Sequence, residues 1–534
     1  MAAGRGAWRK VLQPGTSGAW LRGQESALQR WTVWAIVCTS MGMFGCWRQS
    51  IAAISAVVLL CAACSGSSTS TPPAAASFGD GPSAGVAAAG HGEVGSAAPG
   101  GAAAGASGEG QADTRDAAVA SDPNAAVFDR TSWSAYPAVQ FPPENPFSPE
   151  KAVLGKALFW DEQLSSDNTV ACGTCHRPAA GGSDPRPAQP GYLGNPGADG
   201  TRGTADDPKG SPGIAACMTT GDGAPTDLDD GVFGHLPQVG RRRAMTVLDA
   251  MFWDSMFWDG RVKAALIDPQ TNELVIERGA ALEAQALMPV LNPVEMSCQG
   301  RDWDMVTSKL SRAKPLALAS DLPSDLLDAQ LSAAAYPDLF ANAFGDGAVT
   351  STRIAMAIAT YERTLVADKT PWDRWLAGDD QAMSPQQKRG FQVFARKGQC
   401  ACCHTAPLFG LPALVDDAFH EISWDGGGAE LGLDKPGAYK NPTFRTVTAR
   451  NAGLREAAGL LHDGVAPGDS LEALIAAYNK KPVRNVHFCR IELNLSEDEQ
   501  ADLVEFVRHG LTDPRAEREQ APFDRPKLSS EAPP

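Results

Sequence analysis

The clearest amphipathic pattern in the chain is TRIAMAIATYERTL (Thr352–Leu365). There Ile354, Ile358, Tyr361 and Leu365 recur at three- and four-residue intervals and share one face of a predicted helix. Other helices announce themselves by their starts. Ser148-Pro149 and Ser384-Pro385 each set an N-cap serine before a first-turn proline. Ser384 with Gln387, and Ser496 with Glu499, have capping-box spacing; the second box opens SEDEQADLVEFVRHG, predicted to stop at Gly510. No run of alternating β-branched residues stands out, so the predicted fold class is mainly α.

Two regions near the start break this pattern. After Arg48, the apolar run IAAISAVVLLCAAC (Ile51–Cys64) is too short to span a bilayer as a stable helix and ends in small residues, as an export signal does. Ending on Ala-Ala-Cys, it resembles a bacterial lipoprotein signal with Cys64 as the lipidated residue. Residues 1–64 are therefore read as a signal region. From Ser65 to about residue 130 the chain is Ala, Gly, Ser and Pro with almost no large apolar side chain. Such a stretch cannot bury enough surface to offset its chain entropy, and it is read as a disordered tether.

The formal charge of −16 argues against nucleic acid and against an anionic membrane surface as partners, leaving a lipid anchor as the only membrane contact.

A duplication organises the rest. SPEKAVLGKALFWDEQLSSDNTVACGTCH (Ser148–His176) and SPQQKRGFQVFARKGQCACCH (Ser384–His404) share one layout: Ser-Pro, then Gly155/Phe159 or Gly390/Phe394, then Cys-x-x-Cys-His. Each unit is one helix leading into one cysteine motif. The polar stretch ADKTPWDRWLAGDD between them is read as a link, giving domains over 131–366 and 367–520 and a tail over 521–534.

Two cysteines at this spacing can form thioethers to the vinyl groups of haem, and the adjacent histidine then reaches the iron. With 12 Cys and 8 His in the chain, about 0.004 chance occurrences are expected, and there are two. A zinc site would want its second cysteine pair close by, and a thioredoxin-type pair would want a βαβ setting. The motifs therefore predict two covalently bound c-type haems, on Cys172/Cys175 and Cys400/Cys403, with His176 and His404 as proximal ligands; Cys402 is a passenger.

The segments LGKALFWDEQLSSDNTVACGTCH, MFWDGRV, AQALMPVLNPVEM, AIATYERTL, GFQVFARKGQCACCH and LLHDG, in this order, resemble the bacterial di-haem cytochrome c peroxidase family that includes the MauG enzymes. The resemblance implies two cytochrome c-like haem domains in tandem, the first the peroxide site and the second the electron-transfer site. It matches Trp258 to the tryptophan between the haems, and Gln285 and Glu295 to the distal pair. A carboxylate there has a chemical reason: peroxide must lose a proton from one oxygen and gain one on the other before the O–O bond breaks. The extra residues between Trp258 and Gln285 (VKAALIDPQTNELVIERGAALEA) have no counterpart in the family pattern.

The resemblance further implies His235, in GHLPQVG, as a ligand of the first haem at rest, and Tyr478 as sixth ligand of the second, with His462 and His487 the alternatives for the latter. The first is peroxidase-like and the second MauG-like. It also implies a calcium ion between the domains, but Arg243 falls at the position of an Asn ligand. A guanidinium cannot ligate calcium and could hold the site with its own charge, so calcium is in doubt. The Gly/Asp-rich insertion Pro185–Val232 does not have EF-hand spacing and is read as a disordered loop. In an exported chain one disulfide is expected, with Cys217–Cys298 the within-domain choice.

The function expected is reduction of hydrogen peroxide with electrons from a small redox protein, a cytochrome c or cupredoxin. The protein would face the periplasm, as an outer-membrane lipoprotein of a Gram-negative cell envelope. A homodimer is compatible with the resemblance. Two alternatives are a MauG-like oxidase acting on a protein or small-molecule side chain, and a non-catalytic di-haem electron carrier. The carrier would have no use for the Glu295/Gln285 pair.

Overall fold

The computed structural model describes residues 130–220, 223–411, 419–420, 444–480 and 493–531. The signal region with Cys64, the Ala/Gly/Ser-rich stretch, and His487 and Cys489 lie outside the described residues.

The described chain is mainly helical. Helices α1 (Pro149–Trp160), α2 (Cys172–Cys175), α3 (Ala281–Ala286), α4 (Trp303–Leu310), α5 (Ser324–Ser332), α6 (Tyr336–Phe344) and α7 (Ser351–Glu362) build the first half. Helices α8 (Pro371–Leu376), α9 (Pro385–Ala395), α10 (Ala452–Arg455), α11 (Leu471–Lys480), α12 (Glu497–Glu505) and α13 (Pro514–Glu517) follow. Strands among the described residues form only two-stranded antiparallel ribbons. The expected starts are present: Ser148 Oγ accepts from Lys151 N at 3.2 Å, and the Ser384/Gln387 and Ser496/Glu499 boxes close reciprocally. Helix α12 continues past Glu505 as a π-turn that ends at Gly510.

Each half has its own core. In the first, Leu154, Leu158 and Phe159 of α1 pack with Ile354, Ile358 and Tyr361 of α7, and Trp160 Nε1 donates to the Tyr361 hydroxyl at 3.1 Å. In the second, Trp372, Phe391, Phe394, Phe409 and Phe506 form a dense aromatic cluster of mostly edge-on pairs.

The duplication now has a structural reason. A Cβ at Gly155 would lie 1.9 Å from the Ala357 carbonyl oxygen of α7, and one at Gly390 would lie 2.0 Å from that of Asp502 in α12. Each glycine lets the leading helix of its unit touch another helix backbone to backbone. Phe159 and Phe394 then place their rings 6.4 and 6.5 Å from the imidazoles of His176 and His404.

Three sequence readings are corrected. The stretch ADKTPWDRWLAGDD is not a bare link: Thr370 and Asp373 cap α8, and Trp372 is fully buried in the second core. Residues 521–534 are not a free tail as far as they are described. Phe523 and Leu528 are buried in the first core, Asp524 pairs with Lys156, and Glu531 pairs with Arg177. The described part of the insertion is folded. Strands β1 (Pro212–Ala215) and β4 (Pro237–Val239) pair, as do β2 (Cys217–Thr219) and β3 (Pro225–Asp227). The Asp207 carboxylate gathers the amides of Gly197 and Gly203. The Cys217–Cys298 disulfide is present and ties this insertion to the loop that carries Glu295.

Candidate active site

Two cavities lie beside the two Cys-x-x-Cys-His motifs. The first encloses about 760 Å³ and is lined by Cys172, Cys175, His176, Gln285, Glu295 and Glu362, among others. The second encloses about 230 Å³ and is lined by Cys400, Cys403, His404, Arg445 and Tyr478, again among others. Trp258 and Arg243 line both.

The motif cysteines stay as free thiols. Cys172, Cys175, Cys400 and Cys403 are unbridged, whereas Cys402, read as a passenger, is disulfide-bonded. In α2 the residue after the first cysteine is Gly173, where a Cβ would meet the Trp160 ring at 2.2 Å.

Both motif histidines are fixed by one nitrogen. His176 Nδ1 lies 3.2 Å from the Gly182 carbonyl oxygen, and His404 Nδ1 lies 3.0 Å from that of Phe409. A carbonyl holds the protonated nitrogen toward itself and leaves Nε2 as the lone-pair side. Burial pushes both imidazoles down from the usual histidine range, which keeps them neutral and able to ligate.

In the first cavity Glu295 follows a 3₁₀ turn at Pro289–Leu291, and its Oε1 accepts from Asn292 Nδ2 at 2.7 Å. The insertion backs this loop, with Ile214 N donating to Glu295 O at 3.2 Å. Burial raises the Glu295 carboxyl above the ordinary glutamate range, against the pull of Arg261 and Asn292. Gln285 comes from α3 to the same cavity. The residues inserted ahead of α3 form the short ribbon of β5 (Leu266–Ile267) and β6 (Leu274–Ile276), leaving both members of the pair on the cavity wall.

His235 is not brought to this cavity. Its side chain is 65% exposed, and Nδ1 pairs with the Asp227 carboxylate at 2.6 Å. The ribbon that carries Asp227 holds it at the surface, so in this structure His235 is not among the residues lining the cavity.

Between the cavities, Trp258 Nε1 donates to Arg243 O at 2.9 Å, and Arg243 is 5% exposed. Its guanidinium donates to Ala458 O at 2.6 Å and to Ser183 Oγ at 2.9 Å, which joins the halves through neutral acceptors. His462 stacks on Phe444 at 3.9 Å and meets the Trp258 ring edge-on at 6.4 Å. In the second cavity burial pushes the Tyr478 phenol far up, and the thiols of Cys400 and Cys403 add to this.

Sequence reasoning missed three residues. Arg186 Nη2 donates to Cys175 Sγ at 3.0 Å while pairing with Asp184. Arg445 lines the second cavity with a buried Nη2 that has no partner. Glu362 lines the first with a buried Oε2 that has none. One signal was available for Glu362: neighbours i and i+1 on a helix do not face each other, so Arg363 could not be its partner.

The sequence model of the family described as di-haem cytochrome c peroxidase matches residues 149–381. Methylamine utilization protein MauG of Methylorubrum extorquens is 30% identical over 391 residues, covering 71% of this chain and 83% of that protein. The chain belongs to the di-haem cytochrome c peroxidase/MauG family. It is thus a cytochrome-c-peroxidase-like oxidoreductase. Cytochrome-c peroxidase IdrP1 of Pseudomonas sp. strain SCT is 26% identical over 402 residues, covering 70% of this chain and 83% of that one. A crystal structure of a MauG-like protein associated with microbial copper homeostasis has 19% identity and a TM-score of 0.48, covering 73% of this chain and 96% of that one.

This di-haem family implies haem, and the residues fit it. A haem brings an apolar ring and two carboxylates. The second cavity offers an apolar lining and the unpartnered Arg445 Nη2, a buried cationic donor that requires an anion. Both cavities place two free thiols beside a neutral imidazole anchored through Nδ1.

Proposed function

We propose that this chain reduces hydrogen peroxide at the first cavity, with electrons entering through the second from a small redox protein. The observation that carries the reading is Glu295, a half-buried carboxyl raised by desolvation, on the wall that also holds His176 and Gln285. A group of this kind takes the proton from one peroxide oxygen and returns it to the other. Gln285 supplies an amide to orient the substrate, and the apolar lining excludes water. Haem, held through Cys172/Cys175 with His176 and through Cys400/Cys403 with His404, supplies the redox equivalents when bound. Trp258, on both cavity walls, is the proposed conduit between them.

Two cytochrome c-like domains in tandem are part of the same proposal, as is export to the cell envelope through the signal that ends at Cys64. Among the described residues no helix is long and apolar enough to cross a membrane.

A second reading, a MauG-like oxidase acting on a protein or small-molecule side chain, is favoured by Tyr478 on the second cavity wall and by the surface position of His235. Steady-state turnover of peroxide with a reduced cytochrome c decides between them. Rapid oxidation of the cytochrome supports the peroxidase. A stoichiometric reaction with peroxide that leaves the cytochrome reduced supports the oxidase.

A further inference from the structure

Glu362 is the last residue of α7, and its neighbourhood on the helix explains why it is unusual. One turn earlier Ile358 lines the same cavity, so the helix presents the pair inward. The following Arg363 points elsewhere: its guanidinium makes a bidentate pair with Glu283 of α3, at 2.7 and 3.0 Å, and also binds backbone carbonyls. Glu362 is 5% exposed and its Oε2 has no hydrogen-bond partner. A buried carboxyl that served only the fold would be satisfied by the protein, as Glu283 is. This one opens on the cavity instead.

The stoichiometry of the proposed reaction leaves a place for such a group. Reducing one peroxide to two waters consumes two electrons and two protons. Glu295 moves a proton between the two peroxide oxygens and returns what it takes, so it supplies neither of the two consumed. We propose that Glu362 holds one of those protons inside the first cavity and gives it up, as an electron arrives, to the oxygen that leaves as water. The carboxylate that remains regains its proton from solvent. The inference rests on the peroxidase reading above.

The charge environment is consistent with this. Burial pushes the Glu362 carboxyl up to about 8, Arg363 opposes the shift, and Glu283 across on α3 adds to it. The Cys172 thiol of α2 faces it closely enough to interact, and Glu295 and Arg243 line the same cavity. Near neutral pH the group is a carboxylic acid, and it ionises as pH rises through about 8.

The test uses the full, haem-loaded chain and Glu362→Gln, which keeps the shape and removes the transferable proton. At neutral pH the parent should show a carboxylic-acid C=O infrared band that shifts in D₂O and is lost in the variant. Reaction with peroxide alone should proceed at the parent rate, whereas turnover with peroxide and reduced cytochrome c should fall about tenfold or more. The parent's loss of turnover above about pH 8 should vanish with it, and Glu362→Asp should recover part of the rate. Parent-like turnover in Glu362→Gln overturns the proposal, as does an equal fall in the peroxide-only step. If the parent itself fails to oxidise the cytochrome, the peroxidase reading falls and the delivery role with it. The infrared band then reports separately whether Glu362 holds a proton, and its absence in the parent overturns that part.

Discussion

The indole nitrogen of Trp258 donates to the backbone carbonyl oxygen of Arg243 at 2.9 Å, and the same two residues line both cavities. Arg243 in turn binds Ser183 on one side and Ala458 on the other. The proposed conduit between the halves is therefore one fixed ring held by one buried cation. Trp258→Phe keeps an aromatic there but removes the hydrogen bond. It should cost about 1 kcal/mol in denaturant unfolding and slow cytochrome oxidation, with the peroxide-only reaction and the haem content intact. Unchanged cytochrome oxidation would remove Trp258 from the conduit.

Glu295 gives the sharpest kinetic prediction. As a base it must be ionised, and burial has raised its carboxyl. Activity should therefore be present above that raised value and lost as pH falls through it, an acid limb lying above the ordinary glutamate range. Glu295→Gln should lower kcat/KM for peroxide roughly 100-fold and abolish the limb. A variant that keeps the parent's limb would assign the limb to another group.

His235 makes the opposite case. Its side chain is mostly exposed and its partner is the equally exposed Asp227, an arrangement worth little in water. His235→Ala should leave the resting absorbance of the first haem unaltered and change stability by less than about 0.5 kcal/mol. A spectral change would mean that the loop moves inward when haem is bound.

These contrasts show what the sequence could and could not carry. Motifs of fixed spacing were legible as sites: both Cys-x-x-Cys-His motifs line cavities, and the repeated Gly and Phe proved to be helix-contact and imidazole-packing positions. So were local signals such as the capping boxes. What depended on long-range return of the chain was not legible. Phe523 and Leu528 read as a tail because nothing local says that they rejoin the first core. His235 and Glu362 differ in burial, which a one-dimensional pattern does not reveal, and Glu362 was hidden by an adjacent arginine that pairs with Glu283.

The Cys217–Cys298 disulfide closes a long loop, with a sequence separation of 81, across the insertion and the Glu295 segment. Removing it as Cys217→Ser with Cys298→Ser should cost about 2–5 kcal/mol by denaturant titration. Because Ile214 N donates to Glu295 O on the same side, peroxide reactivity should fall as well. Stability loss with full peroxide reactivity would show that the insertion braces the fold and not the site.

Tyr478 is the residue on which the two functional readings diverge. It lies on α11, partly buried against the second core, and lines the cavity that holds Cys400, Cys403 and His404. Left to the protein alone its phenol stays protonated, since burial and the two neighbouring thiols push its pKa far up. A ferric ion held there would reverse that balance, because a metal is the largest local charge in such a site and favours the anion. An anionic oxygen stabilises oxidised iron more than a neutral ligand does, so the second haem should have a low potential. His462, the other candidate among the described residues, is stacked on Phe444 and does not line this cavity. Tyr478→Phe should therefore change the low-spin absorbance of the second haem and raise its potential, leaving the first haem untouched. An unchanged spectrum would remove Tyr478 from the iron and with it the main structural support for the oxidase reading.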